Sequence, residues 1–272
     1  MGRRTRQTRI LLGRSGGRWW QGSAVRNLPP GVAAFSDALQ AVEWVTALFV
    51  GGSAATGDYS PRVSDLDLVA LTTGPVDGQR QATLVALHTK LDGGAAAGLR
   101  LGCTYVADML LADRDGLHPT WTHGRLVQRS LSGVARAELV RHGFAVFGPA
   151  PQEVLPPVSD DDVRRAAHAQ LTGYWARAAA RPWWWLDPVM VDLGLTSMAR
   201  GRHELATGQL LTKTQAIEAS HAPPWLIAQM RARRRGQQVS SPRLRAAWIA
   251  WRDARRTTTR ARGWTPPAEN AQ

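Results

Sequence analysis

The chain has 272 residues, 44% of them hydrophobic, a single cysteine and a formal net charge of +13, enough for one large domain or two small ones around a real core. The lone Cys103 excludes an internal disulfide framework and fits a reducing cytoplasm. No apolar run approaches the roughly 18 residues of a membrane span, and none follows the basic N-terminus as a secretory signal requires, so the expected location is cytoplasmic.

The charge is concentrated at the ends. Residues 1–28 carry seven Arg and no acid, and residues 231–272 carry eleven Arg against Asp253 and Glu269, which leaves −3 for residues 29–230. Such basic ends read as solvated extensions whose one outlet is loose nucleic-acid contact. The slightly acidic middle suits a small cationic substrate. Only Lys90 and Lys213 are lysines among 34 basic residues, so each stands out.

In chain order, residues 1–28 read as a flexible basic extension ending at Pro29-Pro30-Gly31. Val32, Phe35, Leu39, Val42 and Val45 recur at helical spacing and predict a helix over 32–46. A strand at 48–50 stops at the paired glycines Gly51 and Gly52, and a second strand spans 63–71. A helix over 77–92 and a strand over 99–107 follow. Residues 113–124 read as a loop with His123 at the surface, 126–134 as a strand or a turn of helix, and 135–142 as a helix. The prolines at 149, 151, 156 and 157 form a stiff linker. Beyond it only helical patterns occur, over 160–179, 187–206, 213–220 and 223–235, the first with Ser159 as N-cap and Asp160 to Asp162 in its first turn. The reading is an α+β fold, a small mixed sheet with flanking helices over 29–152, followed by an all-α helical bundle over 153–235, then a basic C-terminal helix and tail over 236–272.

The chemistry gathers between Leu48 and Leu71. Period-two alternation puts Asp65 and Asp67 on one strand face. Carboxylates that close repel unless a cation lies between them, and Mg²⁺ is typically held by one or two carboxylates plus substrate phosphates. Glycines just before Ser53 allow close backbone approach to phosphates.

Gly52-Ser53, a loop with Gly57, then Ser64-Asp65-Leu66-Asp67-Leu68 closely resembles the signature of the DNA polymerase β-type nucleotidyltransferase superfamily. The resemblance implies that Gly52, Ser53 and Ser64 hold the nucleotide phosphates, and that Asp65 and Asp67 are the catalytic Mg²⁺ ligands. Further on, Asp192 to Thr196, Met198-Ala199-Arg200, Ala206-Thr207-Gly208 and Leu211-Thr212-Lys213 resemble the aminoglycoside adenylyltransferases of the streptomycin/spectinomycin type. That likeness covers about residues 30–235. It implies ATP as substrate, Lys213 reaching the triphosphate from the second half, and AMP transfer to a hydroxyl of a small acceptor such as an aminoglycoside. A lysine suits this task as a compact charge on a flexible stem.

One departure matters. The family carries a general-base Glu on the strand after the paired aspartates, and the matching position here is Gly102. Asp108 shares its strand parity but lies roughly 20 Å further along an extended strand. Asp187 or Asp192 could face the cleft as base or acceptor ligand, although Asp187 before Pro188 also reads as an N-cap and Asp192 as an interface group. Trp183-Trp184-Trp185 reads either as core packing or as the wall of an acceptor pocket. A nucleotide-binding regulatory module without chemistry, and a transferase acting on protein or RNA, are the alternative functions.

Overall fold

The computed structural model describes residues 28–113 and 116–265; the extension expected over 1–28 falls outside them except for Leu28. A six-stranded sheet forms the first half, built from β1 (Val45–Val50), β2 (Leu66–Thr72), β3 (Leu101–Ala107), β4 (Leu117–Thr122), β5 (Arg125–Ser130) and β6 (Phe144–Phe147) in the order β5-β4-β3-β2-β1-β6. β2 and β3 run parallel; the other neighbours are antiparallel. Helices α1 (Pro30–Gln40) and α3 (Gly78–Asp92) lie on one face, and α4 (Gly133–His142) and α5 (Pro151–Val154) on the other, while the single turn α2 (Gly52–Ala55) follows β1 directly.

The alternation of each strand decides what faces what. Leu48, Val50, Leu66, Leu68, Ala70, Cys103 and Tyr105 join the core under α1 and α3. Ala47, Phe49, Val69, Leu71 and Val106 join a second core with Leu139 of α4. Asp67 has the parity of Val69 and Leu71, and Gly102 that of Val106, so both look toward α4. In the β2–β3 register Asp67 lies beside Gly102.

Three sequence expectations change here. The helix expected over 32–46 ends at Gln40, because Val45 opens β1, a central strand that pairs with both β2 and β6; tertiary pairing overrides the helical spacing of Val42 and Val45. The loop expected over 113–124 contains β4. His118 and Pro119 break its apolar alternation, yet it pairs with β3 and β5, and the two-residue turn His123-Gly124, both at positive φ, closes the β4–β5 hairpin. The second aspartate strand also starts later than expected, at Leu66, which leaves Asp65 just ahead of it.

The second half is helical: α6 (Asp160–Gln170), α7 (Ala176–Ala179), α8 (Pro188–Thr207), α9 (Lys213–Glu218), α10 (Pro224–Arg234) and α11 (Arg243–Ala261). Ser159 caps α6 in a capping box with Asp162. A π turn, Leu171–Trp175, joins α6 to α7. Segment 236–272 contributes α11, whose Ala246, Ala247, Ala250 and Ala254 are buried in one core with Leu195 and Met198 of α8. Arg202 of α8 donates to Asp253 at 2.8 Å and to Thr257 at 2.7 Å, fastening the two helices. Of the three consecutive tryptophans, only Trp185 is core, its Nε1 donating to the Ala178 carbonyl at 3.1 Å.

Candidate active site

Gly52 and Ser53 open α2 where β1 ends. Gly52 has φ +55°, and a Cβ built there would lie 2.2 Å from Asp67 Oδ2. The turn therefore lies directly on the aspartate, in a conformation that favours glycine. Gly51 N–H also donates to the Asp67 carbonyl at 2.8 Å, binding turn to strand. Asp65 is exposed, with Arg100 Nη1 3.8 Å from its Oδ1.

Asp67 looks into a polar recess of about 340 Å³ bounded by Gly102, Thr104 and Thr120 of the sheet, by Arg129 and Ser130 of β5, and by Glu138 of α4. Asp67 is solvent-exposed at the recess, with the Gly52 turn against its carboxylate. Desolvation, followed by the charge of Glu138, pushes its pKa up to about 6, against the opposing charges of Lys213 and Arg200. Among the described residues no group of three or more His, Cys, Asp or Glu is placed to hold a metal. Asp65 and Asp67 fit a Mg²⁺ that also takes oxygens from a substrate.

Lys213 is the first residue of α9 and lines a second cavity of about 260 Å³, with Val63, Val189, Leu193 and Arg234 among its walls. The lining of that cavity is mixed: Ile217 and Met230 add apolar surface, and Thr196, Arg233 and the Asp192 it binds add polar groups. The placement of Lys213 depends on Asp58, in the loop between the glycine turn and the aspartates. The Asp58 carboxylate accepts from Thr214 N at 3.1 Å and from Arg234 Nη2 at 3.2 Å, and also from the Thr214 hydroxyl. A carboxylate at a helix N-terminus is favourable, and this one offsets the lysine placed there.

The remaining residues singled out from the sequence have partners of their own. Ser64 is buried, its hydroxyl accepting from Ser60 N at 3.0 Å and Arg234 Nη1 at 2.8 Å, so it braces the loop. Asp187 caps α8 by accepting from Val189 N at 2.9 Å. Asp192 accepts two bonds from Arg233, at 2.6 and 2.7 Å. Trp183 and Trp184 line an open hollow with Asp187 and Arg243, apart from Asp67.

Glu138 and Arg200 were not assigned roles by the sequence. Arg200 of α8 pairs with Glu138 of α4 across the two halves and lies 3.7 Å from Glu204. Burial pushes the Glu204 pKa up to about 7, from an ordinary value of 4.5. A carboxyl raised in the folded state contributes stability that is complete below its unfolded pKa and disappears as pH rises through the folded one. The protein is therefore expected to lose stability between about pH 4.5 and 7 through this group. Glu204→Gln should flatten that slope and raise Tm at pH 8; thermal melts across the pH range would read it, and an unchanged slope would exonerate Glu204.

The nucleotidyltransferase domain family matches residues 34–94, the segment from α1 through the turn, Asp65 and Asp67 to α3. A comparison with curated proteins found no match. Among solved structures, the fold is similar to that of the spectinomycin adenyltransferase AAD(9) from Enterococcus faecialis, determined with ATP and spectinomycin: TM-score 0.62, 14% identity, covering 85% of this chain and 99% of that one.

Proposed function

We propose that this chain, which carries a nucleotidyltransferase domain of the polymerase β type, transfers AMP from ATP to a hydroxyl of a small polar acceptor. The observation that carries this reading is the Gly52 turn packed on Asp67 at the mouth of a polar recess, with Lys213 of a second cavity near enough for its charge to act on that carboxylate. The recess, lined by Asp67 itself, is rich in hydroxyls. The other cavity combines apolar walls with Lys213, Arg233 and Arg234, its one acid Asp192 being bonded to Arg233. A nucleoside triphosphate is a flat apolar base on a polyanion, and it suits the second. A hydroxyl-bearing acceptor suits the first.

In this reading Gly52 and Ser53 hold phosphate oxygens from below and Lys213 from the helical half. Asp65 and Asp67 would hold Mg²⁺, which when bound offsets charge on the reacting phosphate. The rest is positioning: two walls from two domains fix the acceptor oxygen in line with the α-phosphorus. An aminocyclitol acceptor is favoured by the likeness to the streptomycin/spectinomycin adenylyltransferases. Since Asp187 and Asp192 are already bonded, the recess, and not those two residues, would supply its contacts.

The test is acceptor-dependent pyrophosphate release from Mg-ATP over a panel of aminocyclitols. Lys213→Ala should raise the KM for ATP roughly 10- to 100-fold, the worth of a charged hydrogen bond, with a smaller effect at saturation. Tight Mg-ATP binding with no release on any acceptor would favour a regulatory nucleotide-binding module.

A further inference from the structure

A hydroxyl that attacks phosphorus must give up its proton, and the residues bounding the recess restrict what can take it. Threonine and serine hydroxyls are too weakly basic at neutral pH, and Arg129 carries a permanent charge. Asp67 and Glu138 are the two carboxylates among the lining residues. Asp67 is committed to the cation in the reading above, which leaves Glu138. At the neighbouring strand position Gly102 presents no side chain, and a Cβ there would meet only ordinary contacts, Trp121 O at 3.6 Å and Leu66 O at 3.8 Å. The floor beside Asp67 is thus open for an acceptor to stand between strand and helix.

We propose that Glu138 of α4 is the general base of the transfer reaction, reaching the acceptor hydroxyl across the space left by Gly102. This rests on the function proposed above. The acceptor oxygen forms a bond to the α-phosphorus, the bond from that phosphorus to the bridging oxygen breaks, and pyrophosphate leaves with that electron pair. The hydroxyl proton passes to a Glu138 oxygen and from there to solvent. Glu138 has 17% side-chain exposure and is held by Arg200 of α8. The base is therefore aimed by the helical half, and its geometry is complete only when the two halves are joined.

The experiment compares the wild type with Glu138→Gln and Glu138→Ala, using Mg-ATP and an acceptor on which the wild type releases pyrophosphate. Glu138→Gln is expected to lose about 10²- to 10⁴-fold in kcat with Mg-ATP affinity and circular dichroism unchanged. Added formate should restore part of the turnover to Glu138→Ala and leave the wild type unaffected. Because a small carboxylate could also re-pair with Arg200, the distinguishing reading is a series of them: rescue should rise with the basicity of the added carboxylate, and absence of rescue, rescue that ignores basicity, or full turnover in Glu138→Gln overturns the assignment. A wild type that releases no pyrophosphate with any acceptor overturns the transfer reading itself, and Glu138 with it.

Discussion

Asp67→Asn is expected to abolish nucleotidyl transfer, by about 10³-fold or more, while raising the Tm at pH 7.5. The two effects have one cause. Asp67 is placed where burial and Glu138 make its charge unfavourable, so its pKa is pushed up to about 6. A carboxyl raised above its ordinary 3.8 stabilises the fold fully only below that value, and the contribution is lost as pH rises through 6. At pH 7.5 the wild type bears that cost in the absence of metal, and a neutral amide of the same shape does not. Sites that bind charge are commonly unfavourable in this way. The measurements are pyrophosphate release and a metal-free thermal melt. Retained turnover would sink the mechanism; a fall in Tm would refute the electrostatic account of the site.

The second large effect is at Gly52. An alanine there must adopt φ +55° and place its Cβ 2.2 Å from Asp67 Oδ2, so either the turn or the aspartate has to move. Gly52→Ala should lose at least about 10²-fold in transfer, since displacements near 1 Å cost that much. Gly57, in the same loop, provides the control: it too has positive φ, +73°, but nothing lies within 4 Å of an added Cβ. Gly57→Ala should incur only the left-handed backbone cost, about 1 kcal/mol, and keep its turnover. Equal losses in the two variants would mean that backbone strain, and not the contact with Asp67, governs the turn.

The parts of this site that were legible in the sequence are local. Gly51 to Ser53 follow the end of β1 and Asp65 to Asp67 span the start of β2, the next strand in the chain, so spacing alone carries their juxtaposition. Lys213 was visible because lysine is scarce in this chain. Glu138 lay beyond such reading: it is one acid on a short helix with no marked apolar stripe, 71 positions from Asp67, and its partner Arg200 lies in the other half of the chain. Asp58 was hidden in another way. A polar residue in a glycine-rich loop looks solvated until the helix it caps is folded beside it. β4 was missed because His118 and Pro119 do not resemble a strand, and pairing on both sides overrides them. Ser64 was singled out with the motif as a phosphate ligand, and its hydroxyl is engaged by Ser60 N and Arg234.

The Asp58 contacts have a consequence for modular exchange. A helical half transplanted from a relative with a different acceptor would look compatible at the linker, where the chain crosses once. It would still have to supply a threonine or its equivalent just after the lysine, and an arginine at the end of α10 to meet Asp58, Ser60 and Ser64. A chimera that respects the linker and ignores this loop should fold in both parts and fail to align them.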